Sequence, residues 1–399
     1  MPAREVRPGV YWIGVNDRTT DLFEGMWPIT QEGVSYNTYL VNGDKKALID
    51  LTKDLKLEEF LDQLADVIDP TQLDYIVLNH MEPDHTGALN ILHRIAPNAQ
   101  ILATAKAKEM LNIYYHITDN IRVVEDGEIL ALGSHTLQFV STPFVHWPET
   151  MMTYETTQRI LFSCDGFGGY GALRGAIFDD EYEDLAFYEK ESLRYFVNIV
   201  AVFSRATSKA IDKLADVPVD IIAPSHGLIW RKSPARITEL YKKWTTYAEG
   251  KADHGVTLLY GTMYGNTEEV MNAVAQGVSS AGLPVNIFDV ARTHASYILP
   301  SLWVHQGVLV GAPTYEVGLF PPMAHVLDVI KRKHISKRTA AYFGSYGWSG
   351  GAKKEFLRLA EPLQWEVVDD LEFPGSLTSQ EMKRAVEFGR RFAQTIQGS

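Results

Sequence analysis

The feature that most constrains the fold of this chain is a cluster of ionisable residues directly after a short apolar segment. Residues 75–78 are predicted to form a buried strand, and an NHMEPDH sequence follows at 79–85. Burying unpaired charges is costly, so a fold that places this loop at a strand end must compensate them. A purely structural role is therefore hard to assign to the four ionisable residues of the cluster: His80, Glu82, Asp84 and His85.

Three more candidate ligands lie further along the chain. His146, Asp165 and His226 each follow a segment predicted to be an apolar strand, at 136–140, 159–162 and 220–223. Zinc usually takes four ligands, and these residues bring the set to seven. The set therefore fits two metal ions that share one carboxylate. The seven predicted catalytic and metal-binding residues are His80, Glu82, Asp84, His85, His146, Asp165 and His226.

A polar, glycine-bearing stretch at 247–255 is the clearest candidate for a domain boundary, and we predict domains over 1–250 and 255–399. The first domain mixes strand patterns with helical ones, which indicates a layered α/β fold. Its further predicted strands are 9–15, 39–41 and 47–51, and its predicted helices are 56–66, 183–202, 208–214 and 235–247.

The second domain alternates more regularly. Its predicted strands are 256–260, 284–288, 307–310, 339–343 and 365–371, and its predicted helices are 267–280, 294–300, 322–331, 351–359 and 379–397. Five strand–helix units in sequence predict a doubly wound parallel sheet of flavodoxin size.

Three loops of the second domain predict a ligand site at the carboxyl ends of the strands. The first, GTMYGNT at 261–267, offers hydroxyls and backbone N–H groups at a helix start, which suits a phosphate group. It lacks the P-loop lysine and the G-x-G-x-x-G pattern, so a phosphate monoester such as FMN fits better than a nucleoside triphosphate or a dinucleotide. Loops 311–321 and 344–350 add glycines and aromatic rings that suit a flat ligand. The predicted flavin-binding residues are Thr262, Met263, Tyr264, Gly265, Asn266, Thr267, Pro313, Thr314, Tyr315, Gly318, Ser345, Tyr346, Gly347, Trp348 and Gly350.

Charge and cysteine content exclude several classes of function. With 37 Lys+Arg against 50 Asp+Glu, the net charge is −13, which argues against nucleic-acid and anionic-membrane surfaces. A basic run at 331–334 is either a solvated helix end or a docking patch for an acidic partner. The single cysteine, Cys164, excludes a disulfide framework and an iron–sulfur or four-cysteine zinc site. The N-terminus has no apolar signal core, and a cytoplasmic protein is expected.

The His-x-Glu-x-Asp-His pattern at 80–85 resembles the His-x-His-x-Asp-His motif of the metallo-β-lactamase superfamily. Glu82 stands where that family has its second histidine, and an added carboxylate favours iron over zinc. This departure is typical of the flavodiiron proteins. The segments 23–28 and 35–39 and the GSYGWSG loop at 344–350 also resemble that family.

The resemblance covers essentially the whole chain and implies a metallo-β-lactamase-like αββα sandwich followed by a flavodoxin-like domain, the two-domain class of the family. It implies that His80, Glu82 and His146 hold one iron, that Asp84, His85 and His226 hold the other, and that Asp165 bridges them. The implied activity is reduction of O₂ to water or of NO to N₂O. Electrons would pass through FMN from an external donor, either rubredoxin or a reduced deazaflavin. A head-to-tail homodimer, or a dimer of such dimers, is also implied.

Two departures from common family residues are present: Glu24, where some members have histidine, and Glu316-Val317, where Asn-Asn is frequent. Two other interpretations remain open from the sequence. The first is a zinc hydrolase that carries a passenger flavodoxin domain. The second is an electron carrier whose first domain is only a scaffold. Glu82 weighs against the first alternative, and the complete ligand set weighs against the second.

Overall fold

The computed structural model describes residues 1–398 and divides into two compact units. The first unit is Met1–Lys242, and the second begins at Lys243. The division therefore precedes the predicted boundary at 250–255. Among the residues described, no helix combines the length and apolar character that crossing a bilayer requires.

The first unit is built from short strands and amphipathic helices. Its strands are β1 (Arg4–Arg7), β2 (Val10–Trp12), β3 (Val15–Asp17), β4 (Leu22–Phe23), β5 (Trp27–Pro28), β6 (Val34–Tyr36), β7 (Tyr39–Asn42), β8 (Lys46–Ile49), β9 (Tyr75–Val77), β10 (Gln100–Ala103), β11 (Ile121–Val123), β12 (Ile129–Ala131), β13 (Thr136–Ser141), β14 (Met151–Glu155), β15 (Ile160–Cys164) and β16 (Ile221–Pro224). Its helices are α1 (Leu57–Val67), α2 (Pro83–Thr86), α3 (Leu89–Ile95), α4 (Ala105–Tyr115), α5 (Ala186–Tyr195) and α6 (Ser204–Lys213), and α7 (Pro234–Thr246) spans the division between the units.

These strands form two main sheets that face each other. One has the order β1-β2-β7-β8-β9-β10-β11 and the other the order β12-β13-β14-β15-β16. The rings of Tyr39 on β7 and Phe162 on β15 lie 5.0 Å apart across the interface. Crossover helices connect the parallel strand pairs and cover the sheets, as such connections require. The predicted αββα sandwich is confirmed.

The second unit is a five-stranded parallel sheet in the order β18-β17-β19-β22-β23, formed by β17 (Asp253–Tyr260), β18 (Val285–Asp289), β19 (His305–Gly311), β22 (Thr339–Tyr346) and β23 (Glu366–Pro374). A small hairpin, β20 (Thr314–Tyr315) and β21 (Gly318–Leu319), follows β19. The helices are α8 (Asn266–Ser280), α9 (Ala295–Val304), α10 (Pro321–Arg332), α11 (Ala352–Ala360) and α12 (Ser379–Gln397). Counted along the chain, this is the 2-1-3-4-5 order of flavodoxin-like sheets, and the predicted doubly wound fold is confirmed.

Three predicted elements differ in the structure. The predicted strand at 9–15 is divided into β2 and β3, which pair with different partners, β7 and β6. The predicted helix at 183–202 begins at Ala186 and changes at Phe196 to a π-helix (Phe196–Val200). Helix α9 continues through Pro300 to Val304, beyond the predicted end at 300. Hydrophobic periodicity does not distinguish these local changes of pairing and winding.

Candidate functional site

The seven predicted ligand residues come together at one end of the two facing sheets. His80 lies after β9, and the one-turn helix α2 presents Asp84 and His85. Asp165 directly follows β15, and His226 follows β16, which pairs with β15 in parallel. His146 lies in the turn between β13 and β14. Strand ends on both sheets therefore aim these side chains into a shared pocket.

The first group of ligand atoms belongs to His80, Glu82 and His146. The Oε2 atom of Glu82 lies 3.3 Å from His80 Nε2 and 3.1 Å from His146 Nε2. One carboxylate oxygen of Asp165, Oδ2, lies 3.4 Å from His80 Nε2 and 3.5 Å from His146 Nε2. Two imidazole nitrogens and two carboxylate oxygens thus surround one point.

The second group belongs to Asp84, His85 and His226. Asp84 Oδ1 lies 3.7 Å from His85 Nε2, and Asp84 Oδ2 lies 3.4 Å from His226 Nε2. The other oxygen of Asp165, Oδ1, lies 3.2 Å from His85 Nε2 and 3.3 Å from His226 Nε2. Asp165 therefore directs one oxygen to each group, which is the placement of a carboxylate that bridges two metal ions.

Besides the arrangement of the ligands, unsatisfied polar atoms in the pocket also indicate metal ions. His80 and Asp165 are 0% exposed, and the other ligand residues are buried or nearly so. Buried polar atoms normally find a partner. Within residues 1–398, several of these buried ligand atoms have no hydrogen-bond partner: Asp84 Oδ1 and Oδ2, His85 Nε2, His146 Nε2, Asp165 Oδ2 and His226 Nε2. All of them face the shared pocket, where cations would satisfy them.

The electrostatics of the pocket favour positive charge. Burial alone lowers the pKa of His146, but the nearby carboxylates of Asp165 and Glu82 outweigh it and raise the pKa to about 10. Burial likewise lowers the pKa of His226, but Asp165 and Asp84 raise it to about 9. Burial raises the pKa of Asp165, but the charge of His85 and the nearby imidazoles of His146 and His226 hold that pKa well below its usual range. Metal cations supply the same compensation when the imidazoles are neutral.

Four residues around the ligands were not in the predicted set of site residues. Glu149 accepts a hydrogen bond from His80 Nδ1 at 2.7 Å, and the carbonyl oxygen of Ser35 accepts one from His226 Nδ1 at 2.8 Å. The hydroxyl of Tyr195 donates to Asp165 Oδ1 at 2.8 Å. The Sγ atom of Cys164 lies 4.0 Å from His85 Nδ1. Ser35 begins the segment 35–39 that resembles the family, and Cys164, the single cysteine, is buried.

A cavity of about 560 Å³ opens beside Glu82 and Asp84. Glu24, which departs from the family pattern, lines it and accepts a hydrogen bond from Trp27 Nε1 at 3.1 Å. The ring of Tyr36 and the side chain of Lys53 complete a polar wall. This opening gives a small molecule a route to the buried ligand atoms.

In the second unit, the three predicted loops meet at the carboxyl end of the sheet and line a cavity of about 400 Å³. The cavity is lined by ten of the predicted flavin-binding residues: Met263, Tyr264, Asn266, Pro313, Thr314, Tyr315, Ser345, Tyr346, Gly347 and Trp348. Four further lining residues were not in the predicted set: Glu316, Val317 and Ser349, which lie in the predicted loops, and Gly375, which lies outside them.

The remaining predicted residues do not line that cavity: Thr262, Gly265, Thr267, Gly318 and Gly350. Two of them shape the loops instead. Thr262 Oγ1 accepts a hydrogen bond from the backbone N–H of Gly265 at 3.0 Å, and Thr267 Oγ1 lies 3.1 Å from Ser345 Oγ.

The hairpin turn between β20 and β21 explains why Glu316-Val317 is an unusual pair. Both residues have positive φ, 44° and 67°. A two-residue turn with this backbone favours asparagine and glycine, because other side chains are strained there. The Asn-Asn that is frequent in the family suits the turn better than Glu-Val does.

The basic run at 331–334 is the exposed end of α10. Arg332 bonds Asp328 within the same helix, while Arg338 nearby is buried and donates to the carbonyl oxygens of Leu302, Trp303 and Ser336. These positions lie at the amino end of β22, whereas the flavin loops follow its carboxyl end. The run is therefore the exposed end of a helix, and Arg338 beyond it has a structural role.

The comparisons with known proteins cover both units. The family described as "ODP family beta lactamase" matches residues 34–227, and "Flavodoxin" matches residues 258–389. The chain is 33% identical to a nitric oxide reductase from Moorella thermoacetica over 98% of both chains. It resembles the rubredoxin oxygen:oxidoreductase of Desulfovibrio gigas at a TM-score of 0.92 and 28% identity, with 99% of each chain covered. It also resembles the flavodiiron protein of Giardia intestinalis at a TM-score of 0.92 and 27% identity, over 100% of this chain and 97% of that one.

Proposed function

This chain belongs to the flavodiiron proteins, and we propose that it reduces nitric oxide to nitrous oxide and O₂ to water at two irons that FMN supplies with electrons. The observation that carries the proposal is the position of Asp165, which directs one carboxylate oxygen to each of two buried groups of ligands. A relative is named a nitric oxide reductase, and a solved neighbour is named an oxygen oxidoreductase.

In this proposal His80, Glu82 and His146 hold one iron, Asp84, His85 and His226 hold the other, and Asp165 bridges them. The irons supply two electrons and open coordination positions to a bound diatomic gas. Two NO molecules, two electrons and two protons give one N₂O and one water. Reduction of O₂ to two waters takes four electrons and four protons, so the site must be reduced again during the reaction.

The residues around the metals keep the reaction dry and oriented. Phe23 packs its ring against His226 at 5.6 Å between centroids, and Trp147 packs against His80 at 5.0 Å. These rings exclude bulk water and strengthen the electrostatic interactions inside. The hydroxyl oxygen of Tyr195 lies 2.8 Å from Asp165 Oδ1 and donates its proton to the shared carboxylate.

The loops of the second unit hold FMN in this proposal. The start of α8 after Gly265 offers its free N–H groups to the phosphate, and Tyr315 and Trp348 lie where they can cover the isoalloxazine ring.

We also propose an external donor, rubredoxin or a reduced deazaflavin, and a head-to-tail homodimer that brings each flavin to the irons of the other chain. The single cysteine supports a location in a reducing cytoplasm.

The metal and flavin content of protein purified without added metal tests this proposal first. We expect two irons and one FMN per chain, followed by anaerobic consumption of NO and consumption of O₂ by protein that a donor keeps reduced. Zinc without flavin, together with hydrolysis of esters or lactams, would support the zinc hydrolase instead. Redox activity that survives in His85→Ala would support the electron carrier.

A further inference from the structure

The two proposed iron sites have matching direct ligands. Each receives two imidazoles, one carboxylate of its own and one oxygen of Asp165. The groups that contact these ligands from behind differ between the two sites. This inference rests on the proposed di-iron function.

Behind the first site, His80 meets a buried carboxylate. Its Nδ1 donates to Glu149 Oε1 at 2.7 Å, and the same oxygen accepts the backbone N–H of Met81 at 2.9 Å. The side chain of Glu149 is 0% exposed. This contact places the proton on Nδ1, leaves Nε2 free to bind metal, and makes that nitrogen a stronger donor because its partner is an anion.

Behind the second site, no ligand histidine within residues 1–398 donates its Nδ1 to a carboxylate. The buried carboxylate of Asp50 lies within 4.8 Å of His85 and Cys164, but its oxygens accept hydrogen bonds from Asn79. His226 Nδ1 donates to the carbonyl oxygen of Ser35, and His85 Nδ1 faces the Cys164 thiol at 4.0 Å. The Tyr195 hydroxyl donates to Asp165 Oδ1, the oxygen that faces this second site. That hydrogen bond withdraws electron density from the oxygen of Asp165 on the second side. The Glu149 contact enriches the first site and the Tyr195 contact depletes the second, so both make the first site the more electron-rich.

We propose that Glu149 is a positioning residue that makes the two irons unequal. The iron held by His80, Glu82 and His146 is the more electron-rich of the two, binds more tightly and is oxidised first. Reduction of the pair therefore passes through a state with one ferric and one ferrous iron.

Glu149→Gln tests the role of the charge. The glutamine oxygen keeps an acceptor for both N–H groups, so the variant removes the negative charge and preserves the geometry. We expect the affinity of the first site for ferrous iron to fall about 10- to 100-fold, as such changes usually cause, with the second site unchanged. In a redox titration followed by Mössbauer and EPR spectroscopy, the fraction of mixed-valence state should decrease.

Glu155→Gln is the matched control. Glu155 is also a buried carboxylate beside a histidine of the same unit, with Oε1 at 3.3 Å from His135 Nδ1, but it does not contact the metal ligands. This variant should keep both iron affinities and the mixed-valence fraction of the wild type. Equal losses in both variants would show a general effect of removing a buried charge and would overturn the proposal.

The wild-type protein gives a test that needs no variant. Two unequal ferrous binding steps and a mixed-valence intermediate are expected, and two equal steps with a single two-electron wave would overturn the inequality. Wild-type protein that binds no iron contradicts the proposed function itself. Two bound irons whose affinities do not respond to Glu149→Gln contradict only the role of Glu149.

Discussion

The two candidate sites of this molecule differ in how completely the protein encloses them. The metal ligands are almost entirely buried, with His80 and Asp165 at 0% exposure, whereas the flavin loops expose Trp348 at 96% and Tyr264 at 89%. A cluster of charges can be buried only when its ligands converge, because each uncompensated charge in a dry pocket is costly. A flat ligand instead gains from apolar surfaces that close around it on binding. The fold therefore encloses the first site, whereas the second is a cleft with exposed aromatic rings.

The largest effect that follows from this comparison is the loss of both irons in Asp165→Ala. Asp165 contacts both groups of ligands, so removing its carboxylate weakens both metal positions at once. We expect less than one iron per chain by elemental analysis, with FMN content unchanged. Full iron content in this variant would contradict the bridging role of Asp165.

Trp348→Ala tests the open site. The exposed indole lines the flavin cavity, and an aromatic contact of this kind contributes about 0.5–1.5 kcal/mol beyond its buried area. We expect FMN to dissociate several-fold to about tenfold more readily, measured by fluorescence titration, while iron content stays at the wild-type value. Unchanged FMN affinity would show that another group covers the ring.

Val317→Gly tests whether the open site carries backbone strain. Val317 has φ of 67° and a side chain that is 70% exposed, so glycine removes the strain with little loss of packing. We expect the second unit to gain about 1 kcal/mol in denaturant unfolding of FMN-free protein. Val317→Ala keeps a Cβ at positive φ and should gain less. An equal gain in both variants would locate the effect in the branched side chain and not in the backbone.

The smallest effect concerns a solvent-accessible charge pair, in contrast to the buried charges. Hydrogen bonding from Arg4 is the largest cause that lowers the pKa of Glu181, to about 2. The stabilisation by this carboxylate is present above pH 4.5 and is lost as the pH falls through about 2. Since solvent screens the pair, we expect Glu181→Gln to cost about 1 kcal/mol at pH 7.

The unfolding free energies of wild type and Glu181→Gln should converge between pH 4.5 and 2. Iron-free protein is used, so that acid release of metal does not contribute. A difference that stays constant over this range would show that the charge of Glu181 has no role in stability.

Much of the fold was predictable because local and tertiary preferences agree. Helix α12 occupies Ser379–Gln397, as predicted, and begins with a capping box in which Thr378 and Glu381 bond each other's backbone N–H groups. The π-helix after Tyr195 was not predictable, since its residues are all buried and show no change of period. It follows directly the tyrosine whose hydroxyl reaches Asp165.

For the site, the spacing of His80, Glu82, Asp84 and His85 after one strand already indicated metal binding. The partners behind the ligands were not predictable, because a single glutamate or tyrosine in a sequence carries no motif. Glu149 becomes informative only when the fold brings it within 2.7 Å of His80.

The sequence by itself determined the two-domain α/β organisation and the chemistry of the candidate ligands, because hydrophobic period and residue type are local properties. The tertiary structure alone decided which carboxylate oxygen faces which group of histidines. It also decided that a histidine of one group donates directly to a carboxylate, whereas the histidines of the other face a carbonyl and a thiol. These relations join residues far apart in the chain, such as His226 and Ser35, and only the packing of two sheets sets such distances.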